Sequence, residues 1–253
     1  MKVIAIANQK GGVGKTTVTL NLATGLANLG HRVLMIDLDS QASLTLSTVG
    51  ESSGKCIAEV IGATHPGTLT LKQVIRPVSE GLDLAPGGTT LAISEIGLIT
   101  RLSRETILKK ALSDINGYDL VLIDCGPTMG LLIENALCAA DGVIIPTLPT
   151  GLDLRGVHIF QESLADVRSE LNPDLEILGI VINQFDWRFI LHNTILKEFQ
   201  TSSIPILAVI GRSVLAASTV GDGQAITKGK LADQFADLTS SISDWLNNSS
   251  AGR

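Results

Sequence analysis

The chain has 253 residues, of which 45% are hydrophobic and 17% charged, and its formal net charge is −6. That length and composition suit one well-buried α/β domain and exclude a disordered chain. The acidic balance excludes a basic coat over the whole surface, so any nucleic-acid contact must come from a local patch.

In chain order, short apolar runs alternate with segments of helical period. Runs at 3–7, 33–36, 120–123, 142–145, 177–182 and 206–210 read as buried strands. They are continuously apolar rather than alternating, as a parallel sheet covered on both faces requires. Helices are expected near 15–29, 104–115, 130–140, 153–171, 190–200 and 231–247. This alternation predicts a single domain over 1–253, an α/β fold with a doubly wound, mostly parallel sheet and helices on both faces. The stretch 40–100 is richer in Gly, Ser and Thr. It reads as a small irregular insertion of short helices with an edge hairpin around 74–75 and 82–85. Cys56, Cys125 and Cys138 are too few and scattered for a disulfide framework or a zinc site. They suit buried thiols in a reducing compartment. No apolar stretch approaches the length of a membrane span or a signal-peptide core, so a cytoplasmic protein is expected.

The first strand runs straight into Lys10-Gly11-Gly12-Val13-Gly14-Lys15-Thr16-Thr17 and then into a helix. Strand, glycine loop and helix in that order form a phosphate-binding P-loop. Glycines let successive N–H groups turn inward on an anion, and the helix adds the partial positive charge of its N-terminus. Lys15 supplies a full charge for the β- and γ-phosphates, and the Thr16 hydroxyl can ligate Mg²⁺. The second strand ends Asp37-Leu38-Asp39-Ser40-Gln41, which puts two carboxylates on one side of the strand's C-terminal end, where doubly wound sheets bind ligands. The run at 120–123 delivers Asp124 to the same edge, as a Walker B strand delivers its carboxylate to Mg²⁺.

The loop lacks the glycine a strict P-loop has at position 9, where this chain has Gln9, and carries a second lysine, Lys10. In this it resembles the deviant Walker A motif of the ParA/MinD family, nearest the short ParA/Soj-type ATPases. The resemblance extends over nearly the whole chain. It implies an ATPase that uses ATP and Mg²⁺, with Gly11 to Thr17 binding the nucleotide and Lys10, Lys15 and Asp39 catalytic. Lys10 would reach the nucleotide of a second copy and so close an ATP-sandwich homodimer. Asp39 would orient the attacking water, Asp37 would support the magnesium shell, and Thr16 and Asp124 would serve the metal. Asn183, at the end of the strand at 177–182, would meet the adenine edge. Gly211 falls where relatives have proline in Ile-Pro-Arg-Asn, and 217–226 resembles the stretch that follows. Ser40 and Gly126 also replace family prolines.

The resemblance further implies non-specific double-stranded DNA binding by the ATP dimer, through basic residues of the last third. Arg188, Lys197, Arg212, Lys228 and Lys230 stand there against Asp186, Glu198 and Asp222, an excess of two (five minus three). A ParB-like or adaptor protein would stimulate slow hydrolysis, and the cycle would position or segregate a plasmid, a chromosome or other cargo such as carboxysomes, on the nucleoid. The chain starts at the first strand, so a preceding operator-reading domain is not expected. Two alternatives stay open. One is a MinD-like membrane-cycling regulator. Against it, Leu231, Phe235, Leu238, Ile242, Trp245 and Leu246 form one apolar stripe whose polar flanks carry Asp233, Asp237 and Asp244, and anionic lipid repels acidic residues. The other is a metabolic or redox P-loop enzyme, for which Cys125 would have to ligate a cluster.

Overall fold

The computed structural model describes residues 1–50, 55–62, 69–213 and 221–251, with side chains to 248. Its eight-stranded sheet comprises β1 (Lys2–Ile6), β2 (Val33–Leu38), β3 (Arg76–Ser79), β4 (Leu82–Ala85), β5 (Leu120–Cys125), β6 (Gly142–Thr147), β7 (Glu176–Phe185) and β8 (Ile206–Gly211). The order is β3-β4-β2-β5-β1-β6-β7-β8. Every pairing is parallel except that of β3 with β4. The doubly wound sheet expected from the alternating runs is therefore present.

Side chains of successive strand residues point to opposite faces, so each strand feeds two cores. Val3, Ala5, Val121, Ile123, Val143 and Ile145 join one core, beneath α6 (Ile107–Ser113), α7 (Leu131–Ala139), α8 (Gly151–Glu170) and α9 (Ile190–Thr201). Ile4, Ile6, Met35, Leu120 and Leu122 join the other, beneath α1 (Lys15–Asn28) and α10 (Lys230–Ala251). In α10, Phe235, Leu238, Ile242 and Leu246 are buried and the helix packs on α1 and β8, so its apolar stripe is consumed in the core. Among the described residues no helix is long and apolar enough to cross a membrane.

The region expected to be an insertion is more regular than its composition suggests. It contains α2 (Ser43–Thr48), α3 (Ile57–Ile61), α4 (Leu71–Val74) and α5 (Leu91–Leu98), and β4 pairs in parallel with β2 as part of the main sheet. The hairpin's first strand is Arg76–Ser79 rather than 74–75, because Thr70 and Gln73 cap a helical turn that claims Val74. Pro77 is tolerated there since β3 is the sheet edge.

Candidate nucleotide and phosphate site

Parallel register brings the ends of three strands together: Ile6 pairs with Asp124, and Asp124 pairs with Asp37. The glycine loop leaves β1 at this edge. Asn8 anchors it, donating from Nδ2 to the Pro146 carbonyl at 2.7 Å and accepting the Lys10 N–H on Oδ1 at 3.0 Å. Val13 is fully buried, while Gly11 and Gly12 face solvent. Gly14 ends the loop with φ at 92°, a left-handed conformation that suits glycine. No side chain caps α1 and its first turn holds no acidic residue. Its leading N–H groups are thus left to an anion.

Lys15 lies inside this cradle. Its ammonium donates to the Lys10 carbonyl at 2.9 Å and the Asn8 carbonyl at 3.2 Å. Burial lowers its pKa, opposed by the charge of Asp124. A desolvated cation beside uncapped N–H groups is a strong attractor for phosphate.

Behind it stands a carboxylate cluster. Thr16 donates its hydroxyl to Asp124 Oδ2 at 2.7 Å, and Thr19 reaches Oδ1 at 3.4 Å. Burial, with neighbouring Asp37, pushes the Asp124 pKa well up. Asp37 is fully buried and its pKa is pushed up to about 6 by burial, against the hydrogen bonds it receives. Its Oδ2 accepts from the Thr45 hydroxyl at 2.6 Å and the Thr45 N–H at 2.8 Å, and its Oδ1 from the Asp39 N–H at 3.2 Å. Asp37 therefore braces the strand end behind the site, and Asp39 is half-buried beside Gly126, where an added Cβ would lie 3.5 Å from its Oδ1. One Asp39 oxygen accepts the Gln41 N–H at 2.9 Å, which shapes the turn. Gly87 closes the back, its N–H on Thr45 Oγ1 at 2.7 Å; a Cβ there would stand 2.8 Å from both Asp37 Cγ and the Asp37 carbonyl oxygen. Sequence reasoning missed Thr45 and Gly87, which carry no motif.

Lys10 is not free. Its ammonium meets Asp153 Oδ2 at 2.7 Å, and Asp153 is buried in the first turn of α8. This partner, 143 residues away, was not foreseen.

Beyond the loop, a cavity of about 320 Å³ is lined by Gly14, Thr17, Asn183, Gly211, Leu231 and Phe235. Asn183 is buried and spends its Nδ2 on the Val13 carbonyl at 2.7 Å, so it ties the end of β7 to the loop as well as lining the cavity. The next residue, Gln184, has φ at 54°, left-handed strain at the cavity wall. The Gly211 N–H donates to Gln234 Oε1 of α10 at 2.9 Å.

The basic residues do not form one face. Arg188 is chelated by Asp186, with its Nη2 at 2.6 Å and its Nε at 2.9 Å, and this holds the Asp186 carboxyl well below its usual range. Lys197 lies on α9, across the sheet from Lys228 and Lys230 at the start of α10. Arg212, Lys228 and Lys230 are exposed. Within the stretch at 217–226, positions 217–220 lie outside the described residues. Cys125 is buried and its thiol is pushed well up by burial, a poor state for a metal-binding sulfur.

The family described as "AAA domain" matches residues 1–177. The chain is 34% identical to the sporulation initiation inhibitor protein Soj of Bacillus subtilis strain 168, over 95% of this chain and 98% of that protein. It is similar to a Mycobacterium smegmatis protein named cobyrinic acid a,c-diamide synthase, solved with ADP and magnesium: 32% identity, TM-score 0.86, covering 100% of this chain and 97% of that one. A putative plasmid partition protein of Borrelia burgdorferi bound to AMPPNP matches at 25% identity and TM-score 0.84, over 96% of this chain and 99% of that one. With its glycine loop, its carboxylate-bearing strand ends and these relatives, the chain belongs to the ParA/Soj group of P-loop ATPases.

Proposed function

We propose that this chain is a positioning ATPase that pairs with a second copy when ATP is bound and separates after hydrolysis. The observation that carries this reading is a single glycine loop presenting two lysines. Lys15 is turned inward onto the loop's own Asn8 and Lys10 carbonyls, and Lys10 lies outward on a half-exposed stem. ATP and Mg²⁺ are the ligands. The loop N–H groups from Gly11 to Thr17 and the Lys15 ammonium hold the phosphates, and Asn183 and Gly211 border the base. The residues fit a divalent cation. Two buried carboxylates with raised pKa values sit side by side, and the nearby Lys15 ammonium offsets only part of their charge. Thr16 and Asp124 would hold the ion, with Asp37 behind them. Bound there, it would neutralise phosphate oxygens during transfer.

Asp39 accepts a hydrogen bond from water and holds it in line with the γ-phosphorus, while Lys15 and the partner's Lys10 balance the charge that develops. Loss of the γ-phosphate removes what Lys10 grips, and the pair opens. Arg212, Lys228 and Lys230 contact the phosphates of double-stranded DNA. Pairing doubles the phosphates neutralised, so retention is strong only in the ATP state and falls steeply with salt. A stimulating ParB-like or adaptor protein sets the timing, and the nucleoid is the track for the cargo.

Light scattering with a non-hydrolysable ATP analogue and Mg²⁺ tests the reading. The wild type should run as a dimer, and Lys15→Ala as a monomer that no longer binds nucleotide. A wild type that stays monomeric at saturation, or turnover that requires a further small-molecule substrate, would refute it.

A further inference from the structure

We infer that Asp153 is the positioning residue for Lys10: it holds the arm at home and sets how strong an anion must be to draw it to a second copy. This rests on the ATP-driven pairing proposed above. The side chain of Asp153 is 0% exposed and that of Lys10 is 45% exposed, and they meet at 2.7 Å. The carboxylate is poorly provided for otherwise. Oδ1 is buried with no hydrogen-bond partner among the described residues. Oδ2 receives the Thr150 hydroxyl in addition to Lys10.

A buried carboxylate with one bare oxygen depends on its cation, and removing that cation is strongly unfavourable. Lys10 therefore cannot simply extend into solvent. It exchanges one anion for another, giving up Asp153 only for a group that attracts it more. The exchange is nevertheless possible. Asp153 lies in the first turn of α8, where the helix's leading N–H groups favour negative charge. Thr150 also remains on its oxygen. The arm thus has two resting places close in free energy, a requirement for a switch. ATP carries one phosphate more than ADP, so the threshold set by Asp153 separates the two nucleotides. Asp153 acts as an element of discrimination against the product state.

The test measures pairing by sedimentation over a range of protein concentrations, with an ATP analogue or with ADP, in Mg²⁺. Asp153→Asn is nearly isosteric and removes the competing charge. It should tighten pairing with the ATP analogue by roughly tenfold. It should also yield dimers with ADP at concentrations where the wild type is monomeric. Nucleotide affinity of the monomer should stay within about twofold, because Asp153 contacts Lys10 rather than the phosphate cradle. Thr150→Ala controls for the helix cap. It should lower the melting temperature as Asp153→Asn does, but weaken pairing with the ATP analogue rather than tighten it, because Asp153 without the Thr150 hydroxyl depends more on Lys10. Adding Lys10→Ala to Asp153→Asn should abolish the gain. If the wild type pairs and Asp153→Asn pairs no more tightly, the inference is wrong and Asp153 merely caps α8. If neither pairs, the ATP-driven dimer itself is wrong and takes the inference with it.

Discussion

Thr45→Val isolates the brace behind Asp37. Valine keeps the shape of threonine, so no cavity opens, and Thr45 is only 1% exposed. The substitution deletes the hydroxyl that donates to Asp37 at 2.6 Å and accepts from Gly87 at 2.7 Å. Two buried groups lose a partner at once, and each such loss costs about 1–3 kcal/mol. Asp37 keeps two N–H donors, from Thr45 and Asp39, and its raised pKa lets it take up a proton, so the lower half of the combined range applies. The expected loss is about 2–4 kcal/mol, a large part of the ~5–15 kcal/mol by which such domains are stable. Urea unfolding reads it directly as a shift in midpoint at unchanged slope. Thr45→Ser, which restores the hydroxyl, should lie within ~1 kcal/mol of wild type. A Thr45→Val loss below ~1 kcal/mol, or a serine variant as damaged as the valine one, would show that the network does not hold the strand end.

Asp39→Ala should keep nucleotide affinity and lower phosphate release by ~100-fold or more, because only water positioning is removed; normal turnover would overturn that role. Gly14→Ala meets a left-handed φ and a Cβ placed 2.8 Å from Asn183 Nδ2. It should lose over ~10-fold in nucleotide affinity by fluorescence titration, and tight binding would contradict the loop geometry. Replacing Arg212, Lys228 and Lys230 together with alanine should weaken DNA retention and flatten its salt dependence while leaving ATP-dependent pairing intact. Arg188→Ala should do far less, because Asp186 already holds that charge; an equal effect would place the DNA face elsewhere.

Much of the scaffold was legible because its signals are local. A parallel strand covered on both faces must be apolar throughout, and a loop that curls around phosphate must be glycine-rich. Position 124 could be read because a parallel strand delivers its C-terminal residues to a fixed edge of the sheet. What escaped depends on contacts between residues remote in the chain. Nothing near Lys10 announces Asp153, and nothing near Asp37 announces Gly87, since both pairs meet only after the sheet has formed. The strand bounds near 74–79 slipped because the Thr70 and Gln73 cap outweighed the β-branched pair Val74 and Ile75. The pairing of Asp186 with Arg188 was closer to hand. Their spacing of two within a turn allows the ion pair, which occupies Arg188 and leaves the excess of two unchanged because Asp186 was already counted against it.

The cavity beside Gly14 draws its walls from β1's loop and β7 on one side and from Leu231 and Phe235 on the other. The final helix is therefore a jamb of the same doorway as the opening loop. A ligand seated there fastens the two ends of the polypeptide to each other, and the free energy of occupancy is added to the stability of elements over two hundred residues apart. Cutting this protein after residue 177, where the family match ends, would remove eight of the ten described residues that line the cavity and leave only Gly14 and Thr17.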